Sequence, residues 1–205
     1  MNTPIHRFDT EIGEVTVRAY AEGDVGDHVK YLYESPEYFL TTIAFDVSQF
    51  PTRDICTEMF LSECRENQTN GELRRMASEL NGHMISYATL EIPENESRSY
   101  AHFHILESKL RGKGLGSILL SIPLKVFADR YELERIYIEP SASNAAMNRL
   151  MQKLKFLRLD SFEKAAGMWA LPVEVTQYEA SREQIEENYR ELNEIYDVIV
   201  HPKTN

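Results

Sequence analysis

The 205-residue chain has few cysteines and no long apolar run, and each of these absences excludes a class of protein. No apolar stretch approaches the 18 residues that a membrane span needs, and the N-terminus lacks an apolar signal segment, so we expect a cytoplasmic protein that enters no membrane. The only cysteines, Cys56 and Cys64, lie eight positions apart in a stretch with a helical pattern. At a rise of about 1.5 Å per residue they would be about 12 Å apart, too far for a disulfide, so we expect reduced thiols.

Basic residues are also scarce, because 22 Lys and Arg stand against 33 Asp and Glu for a net charge of −11. This balance argues against nucleic-acid binding, which usually leaves a basic footprint. The charge is uneven, however: residues 109–158 contain ten Lys or Arg and four Asp or Glu, a net of +6, and the rest of the chain carries −17. A basic segment in an acidic chain predicts a local anionic ligand.

Apolar periodicity predicts alternating strands and helices without an internal repeat. The predicted elements, in order, are a strand at 14–20, helices at 24–42 and 52–66 separated at Phe50-Pro51, strands flanking Asn81-Gly82 within 73–92, a turn at 93–97, a strand at 98–107, a helix after 115, a strand at 134–140, a helix at 144–155, strands at 156–164 and 168–178, and a helix from 181. Pro123 predicts a kinked or shortened helix. The order indicates an α/β fold in which helices cover a sheet.

Residues 110–117, LRGKGLGS, join a predicted strand to a predicted helix. Such a junction presents unpaired backbone N–H groups at the positive end of the helix, which suits an anion such as pyrophosphate. The glycines allow close approach of a ligand, and Arg111 and Lys113 add charge. The segment contains neither Gly-Lys-Ser/Thr nor Gly-x-Gly-x-x-Gly, so it is neither a P-loop nor a dinucleotide fingerprint. A flexible turn with incidental cations is the alternative.

Two motifs together resemble the GNAT superfamily of N-acetyltransferases. Arg111-Gly-Lys-Gly-Leu-Gly116 is similar to its Gln/Arg-x-x-Gly-x-Gly/Ala loop, which holds the pyrophosphate of acetyl-CoA. Residues 144–156 resemble its Asn-x-x-Ala-x-x-Leu-Tyr-x-Lys-x-Gly-Phe helix, with Asn144, Leu150, Lys153 and Phe156 in register. The likeness covers about 85–178, with weaker support back to residue 12. It implies a mixed, mostly antiparallel sheet flanked by helices.

The resemblance also implies the organisation of the chain. We expect a single acyltransferase domain over 1–205, with a core at 12–178 and an acidic C-terminal helix at 179–205. That helix packs on its own domain or, alternatively, pairs with a second subunit in a homodimer.

The resemblance implies acetyl-CoA as cosubstrate and no metal. Its pantetheine arm would lie where the strand ending at 106–108 diverges from the strand at 134–140, pairing with free backbone groups there. The Leu106 amide would then stabilise the negative charge that develops on the thioester oxygen. The implied contacts with the cosubstrate are Leu106, Glu107, Ser108, Arg111, Gly112, Lys113, Gly114, Leu115, Gly116, Ser117, Asn144, Arg149 and Lys153, with Lys155 as a further cation near the phosphates.

An attacking amine must lose a proton, and the resemblance implies a general base on the strand before the loop, where some relatives place a Glu or His. Tyr100, His102 and His104 alternate, so a regular strand places all three on one face. His102 is the first candidate, with His104 and Tyr100 after it, and Glu107 alternates onto the other face. The alternative is that the histidines are half-buried strand residues bonded to neighbours.

The chain departs from the family at two positions. Met151 replaces a Tyr that can protonate the departing thiolate, which slows catalysis rather than forbidding it. Lys155 replaces the Gly before Phe156.

The expected acceptor is a primary amine of a small molecule or peptide. Aromatic and acidic side chains in the N-terminal helices also suit a cationic amine, although an ordinary amphipathic helix shows the same mixture. These side chains are Tyr31, Tyr33, Tyr38, Phe39, Asp27, Glu34 and Glu37.

Three functions follow from these observations. The first is N-acetyl transfer by direct attack in a ternary complex. The second is a catalytically degenerate acyl-CoA-binding sensor or interaction module. The third is a nucleotide-binding interaction protein.

Overall fold

The computed structural model describes residues 3–94, 97–165, 167 and 169–201. The elements in chain order are β1 (Ile5–Thr10), β2 (Gly13–Ala19), α1 (Val25–Glu34), α2 (Glu37–Thr42), α3 (Arg53–Asn70), β3 (Arg75–Leu80), β4 (His83–Glu91), β5 (Tyr100–Ile105), α4 (Gly116–Tyr131), β6 (Arg135–Ile138), α5 (Ala145–Lys153), β7 (Leu157–Lys164), β8 (Val173–Ser181), α6 (Arg182–Tyr196) and β9 (Ile199–His201). In this part of the chain, none of the helices has the length and apolarity that a membrane crossing requires.

The described strands form one sheet in the order β7-β8-β6-β5-β4-β3-β2-β1-β9. Every neighbouring pair is antiparallel except β5 and β6, which run parallel. The main core, which includes Ile118 and Phe127 of α4 and Ile185 of α6, covers one face of the sheet. A second, more aromatic core, which includes Leu32 of α1 and Phe60 of α3, covers the other face. The expected mixed, mostly antiparallel sheet between helices is confirmed.

Local signals located most of the elements correctly. Asn81 and Gly82 adopt φ values of 53° and 80° and join β3 to β4, as the predicted hairpin requires. Thr52 caps α3 by accepting a hydrogen bond from the Ile55 amide. Part of the predicted turn at 93–97 lies outside the described residues, as does the start of the strand predicted at 168–178.

The structure differs from the helix predictions at two prolines. The helix predicted over 24–42 is two helices, because Pro36 cannot donate a helical hydrogen bond and disfavours helical geometry at Ser35. The helix after the glycine loop, in contrast, is not shortened at Pro123 and continues to Tyr131. Every residue from Ser117 to Leu124 is buried, so packing offsets the missing hydrogen bond.

The two terminal strands escaped the sequence patterns. β1 pairs with β2 and with β9, so the N-terminal and C-terminal segments lie side by side. The C-terminal helix packs on the main core through its apolar stripe, which contains Ile185, Tyr189, Leu192 and Tyr196. The acidic tail therefore contacts its own chain along one side, and pairing with a second subunit stays a prediction.

Lys155 shows why the related motif carries glycine at this position. It follows α5 with φ +57°, a left-handed conformation that costs a side-chain-bearing residue about 1–2 kcal/mol. We expect Lys155→Gly to raise the free energy of unfolding by about 0.5–1 kcal/mol, after the entropy that glycine adds to the unfolded chain. Urea denaturation measures the change. Lys153→Gly, inside α5, is the control and should lower stability; a similar loss for Lys155→Gly would contradict the prediction.

His6 makes the core sensitive to acid. Burial, and then the nearby Lys125 ammonium, lowers the pKa of His6 to about 4, and its Nδ1 has no partner among the described residues. The unfolded chain, with a usual pKa of about 6.5, therefore binds more protons between pH 6.5 and 4, and stability falls as the pH drops through that window. Between pH 7.5 and 5, we expect the free energy of unfolding to fall by about 2 kcal/mol less in His6→Phe than in the wild type. Equal losses in denaturation curves at the two pH values would refute this role.

Candidate active site

The site begins where two parallel strands separate. β5 and β6 share one register position, Tyr100 with Tyr137, supported by a 2.8 Å hydrogen bond from the Tyr137 amide to the Ser99 carbonyl. Beyond it, β5 continues along β4 and β6 along β8. The expected divergence of the two strands is confirmed. A cavity of about 530 Å³ adjoins the gap, and its lining includes Asn144 and Met147 as well as His102 and His104.

The backbone at the end of β5 differs from the expectation by one residue. The Leu106 amide donates to the Ile85 carbonyl at 2.9 Å, so it is not free to meet a thioester oxygen. Ile85 and Leu106 are therefore a hydrogen-bonded pair of the β4–β5 ladder, and the N–H of the adjacent Ile105 points away from β4, towards the gap. The Leu106 amide is therefore occupied in this structure, and the Ile105 N–H is the backbone donor that faces the gap.

The carbonyls of 106–108, which are among the backbone groups expected to be free, each accept a hydrogen bond. Leu106 O accepts from the Arg111 guanidinium at 2.9 Å, Glu107 O from the Leu110 amide at 3.0 Å, and Ser108 O from the Arg111 amide at 3.2 Å. Each of these oxygens has a second lone pair, so a pantetheine arm that paired here would share the acceptor with the existing contact.

The glycine loop exposes its backbone as expected. Gly112 and Gly114 have φ values of 75° and 81°, and among the described residues no atom lies within 4 Å of where their Cβ atoms would be. These are the two positions at which the loop needs glycine for its conformation. Gly116 has a different role, because a Cβ there would lie 3.3 Å from Leu150 Cδ2 and would press α4 against α5.

The first turn of α4 lies beside this open loop. Leu115 is buried, and so is Ser117, whose Oγ has no partner among the described residues. An unpaired hydroxyl at a helix N-terminus, together with exposed loop amides, has the donors that an anion needs. These features fit a pyrophosphate.

Arg111 holds the loop in place through contacts with its own chain. Its Nε donates to the Ile105 carbonyl at 3.0 Å, and its guanidinium lies 3.7 Å from the centre of the Phe39 ring. Burial lowers the pKa of this guanidinium from its usual value. The Arg111 side chain is therefore engaged by its own chain, and its expected contact with a phosphate stays a prediction. Lys113, Arg149 and Lys153 are exposed and remain candidates for that contact.

Asn144 joins the cavity to α5. Its Oδ1 accepts from the Met147 amide at 3.1 Å and caps the helix, so its amide NH₂ is the part left for a ligand. Met151, at the position of the related tyrosine, is completely buried in the main core. Its thioether is core packing and cannot act as an acid.

His102 is the half-exposed titratable ring of the cavity. Its Nε2 lies 3.5 Å from Glu91 Oε2, and this contact is the first cause of the lowered pKa of Glu91. Tyr100, His102 and His104 lie opposite Glu91, Thr89 and Tyr87 of β4, on one face of the sheet as expected. The Tyr100 ring itself contacts Tyr137 and Lys164 away from the cavity lining.

His104 is held as a neutral ring. Its Nδ1 lies 3.1 Å from the Tyr31 hydroxyl, and its ring stacks on Tyr87 at 4.9 Å and on Phe45 at 5.7 Å. Burial, and then the positive charges nearby, lowers the pKa of His104 to about 3. A base so weak has little capacity to take a proton near neutral pH.

The aromatic and acidic set expected for a cationic acceptor lies mostly elsewhere. The Tyr33 hydroxyl donates to the Pro51 carbonyl at 2.5 Å, and Tyr38 is 76% exposed. Asp27 accepts from the Met84 amide, and Glu34 pairs with Arg53. Tyr31 and Phe39 contact His104 and Arg111 instead of lining the cavity.

The side chains that do line this part of the cavity come from distant segments that the sequence did not single out. Residues 44–46 pair with 169–171 through hydrogen bonds from Asp46 N to Trp169 O and from Leu171 N to Ala44 O. This pairing brings Phe45 and Trp169 to the cavity, where Phe60, Glu63 and Arg75 join them. Across the described residues, no group of three or more His, Cys, Asp or Glu is arranged to hold a metal ion.

Three solved structures with the same fold extend over most of the chain. RimJ of Mycobacterium smegmatis, in complex with CoA-disulfide, has a TM-score of 0.72 at 11% identity and covers 93% of this chain and 94% of its own. The aminoglycoside acetyltransferase AAC(6')-Ib, in complex with coenzyme A, has a TM-score of 0.64 at 19% identity, covering 84% and 98%. An N-acetyltransferase from Staphylococcus aureus has a TM-score of 0.63 at 20% identity, covering 82% and 98%. At these identities the likeness establishes the fold.

The family follows from the sequence comparison. No curated protein sequence matches the chain. The model of the acetyltransferase (GNAT) family matches residues 37–156, which is more than half of the chain and includes the glycine loop and α5. The chain therefore belongs to the acetyltransferase (GNAT) family.

Proposed function

We propose that the chain moves an acetyl group from acetyl-CoA to a primary amine by direct attack in a ternary complex. The observation that carries the proposal is the cavity at the gap between β5 and β6, whose lining includes both Asn144, which caps α5, and His102. Two substrates that enter such a gap from opposite sides can react without a covalent enzyme intermediate. Bound CoA in RimJ and AAC(6')-Ib supports the choice of cosubstrate.

The cosubstrate's pyrophosphate would rest on the amides of the glycine loop and the first turn of α4. The orphan Ser117 hydroxyl supplies one donor, and the exposed Lys113, Arg149 and Lys153 supply positive charge. The Asn144 amide would hold the pantetheine arm. The thioester end would then lie in the gap, where the Ile105 N–H stabilises the negative charge on its oxygen.

His102 would remove the proton from the amine. The Glu91 carboxylate can only accept, so it selects the tautomer with hydrogen on His102 Nε2 and leaves a lone pair on Nδ1. The amine nitrogen attacks the carbonyl carbon, the C–N bond forms, and the C–S bond breaks. The amine proton passes to His102, directly or through water, and the thiolate takes a proton from solvent because Met151 supplies none.

The buried Met151 also favours a second candidate function. A chain that has lost the acid of the related motif could retain acyl-CoA binding as a sensor or interaction module. This alternative shares the cosubstrate site and differs by having no turnover with any amine.

Binding of the cosubstrate is the first test. Calorimetric titration should give micromolar affinity for acetyl-CoA and clearly weaker affinity for ADP, because the pantetheine arm adds contacts in the gap. Gly114→Asp should weaken acetyl-CoA binding at least tenfold more than Gly114→Asn, since both residues tolerate positive φ and only Asp adds negative charge at the anion site. Equal affinities for the two variants would mean that the loop holds no phosphate.

The base is tested by comparing two histidines. His102→Gln should lower kcat for thiol release by about 10²–10⁴-fold, the usual contribution of a general base, with little change in acetyl-CoA affinity. His104→Phe keeps the ring stacking and should cost less than tenfold. The reverse order of effects would assign the base to His104, and no turnover in the wild type with any amine would favour the sensor.

A further inference from the structure

The acceptor side of the cavity is walled by aromatic rings around one buried cation. We define the acceptor chamber as the space that is lined by Phe45, Phe60, Glu63, Arg75, Tyr87 and Trp169. The rings are packed with one another: His28 stacks on Phe60 at 4.2 Å, and Phe60 contacts Trp169 at 6.3 Å. Flat, apolar walls of this kind suit a planar, apolar ligand.

Arg75 fills the place in the chamber where a ligand cation would bind. Its guanidinium carbon lies 5.0, 5.2 and 5.8 Å from the ring centres of Tyr20, Phe60 and Tyr87, and its side chain is 11% exposed. It also donates to Thr89 Oγ1 at 3.2 Å and pairs with Glu63 at 3.2 Å. The cation–π capacity of Phe60 and Tyr87 is therefore already used.

The carboxylates of the cavity are used as well. Glu63 pairs with Arg75, Glu91 contacts His102 at 3.5 Å, and Glu139 pairs with Lys164 at 2.7 Å. These three are the acidic residues among the described lining. Glu91 faces the neutral His102 at the amine end of the cavity, so no described carboxylate next to Arg75 is left without an ionic partner to receive a second ligand cation. Positive charge brought next to Arg75 in this desolvated space is strongly repelled.

Register sets the distance between Arg75 and the proposed base. Arg75 lies directly opposite Thr89, and Thr89 directly opposite His102, on three neighbouring strands. At about 4.8 Å between strands, the two backbones are about 10 Å apart. An amine at His102 with one ring behind it would place a substituent on the far side of that ring against Arg75.

Resting on the proposed function, we propose that the acceptor is a primary monoamine with a neutral planar ring as its body, and that Arg75 excludes diamines and polycations. The ring packs against Phe60 and Trp169 while the amine faces His102. Arg75 is a specificity-determining residue in this scheme. The proposal limits the cationic acceptor expected from the N-terminal helices to a single charge, at the reacting amine.

Two probes that differ by one amine test the charge rule. Thiol release from acetyl-CoA is measured with 4-methylbenzylamine and with p-xylylenediamine, which share a ring and an aminomethyl group. The wild type should show at least tenfold higher kcat/KM for the monoamine. Arg75→Met, which removes the cation and leaves Glu63 unpaired, should lower that ratio at least tenfold, whereas the matched control Arg75→Lys should retain it.

A second variant keeps the proposal testable if Arg75→Met does not fold. Glu63→Gln alters a half-exposed side chain and leaves Arg75 uncompensated, so it should raise the preference for the monoamine further. Thermal melting and acetyl-CoA affinity report whether each variant is folded.

The outcomes separate this inference from the proposed function. If no amine gives thiol release from acetyl-CoA, both the proposed function and this inference are overturned. Three other outcomes overturn this inference alone. The first is equal kcat/KM for the two probes, and the second is an unchanged ratio in Arg75→Met and Glu63→Gln. The third is the highest kcat/KM for a peptide N-terminus or for kanamycin, which AAC(6')-Ib binds.

Discussion

The single register position shared by β5 and β6 is the constraint on which the rest of the site depends. Two parallel strands in one sheet would normally pair along their length, and here Tyr100 and Tyr137 are the last partners. β4 holds β5 through six register positions, and Arg111 takes the Ile105 carbonyl that would otherwise face β6. The gap is therefore maintained by alternative hydrogen bonds and needs no ligand to open it. The cavity and the exposed Ile105 amide both follow from it.

Residues of one motif serve different physical purposes in this chain. Gly112 and Gly114 permit positive φ, whereas Gly116 permits close packing against Leu150. Arg111 supports the backbone at the end of β5, and Lys155 keeps a conformation that glycine would adopt more readily. A family pattern therefore locates a motif in the chain and leaves the role of each side chain to be found from its contacts.

What the sequence could predict was determined by short-range chemistry. The hairpin at Asn81-Gly82, the helix break at Phe50-Pro51 and the loop at 110–117 depend on neighbouring residues and were placed correctly. Other contacts join residues that are far apart in the chain or on different elements, and no local sequence pattern predicts them. Examples are the pairing of 44–46 with 169–171 and the Glu63–Arg75 contact. The one-residue shift from Leu106 to Ile105 required the β4–β5 register, because alternation alone leaves two phases open.

The same buried charge that selects the acceptor also bears on its reactivity. Desolvation first, and then Arg75, keeps the pKa of His28 well below its usual value, so the space around these rings disfavours added positive charge. An ammonium that enters from water must lose a proton before it can attack, and an environment that disfavours the cation lowers the cost of that loss. In the proposed reaction, Arg75 therefore opposes a second cation at the far end of the acceptor and favours the neutral amine at the near end. His102 is half-exposed and lies beside Glu91, at the edge of the space around Arg75. There it can hold the proton that the amine gives up.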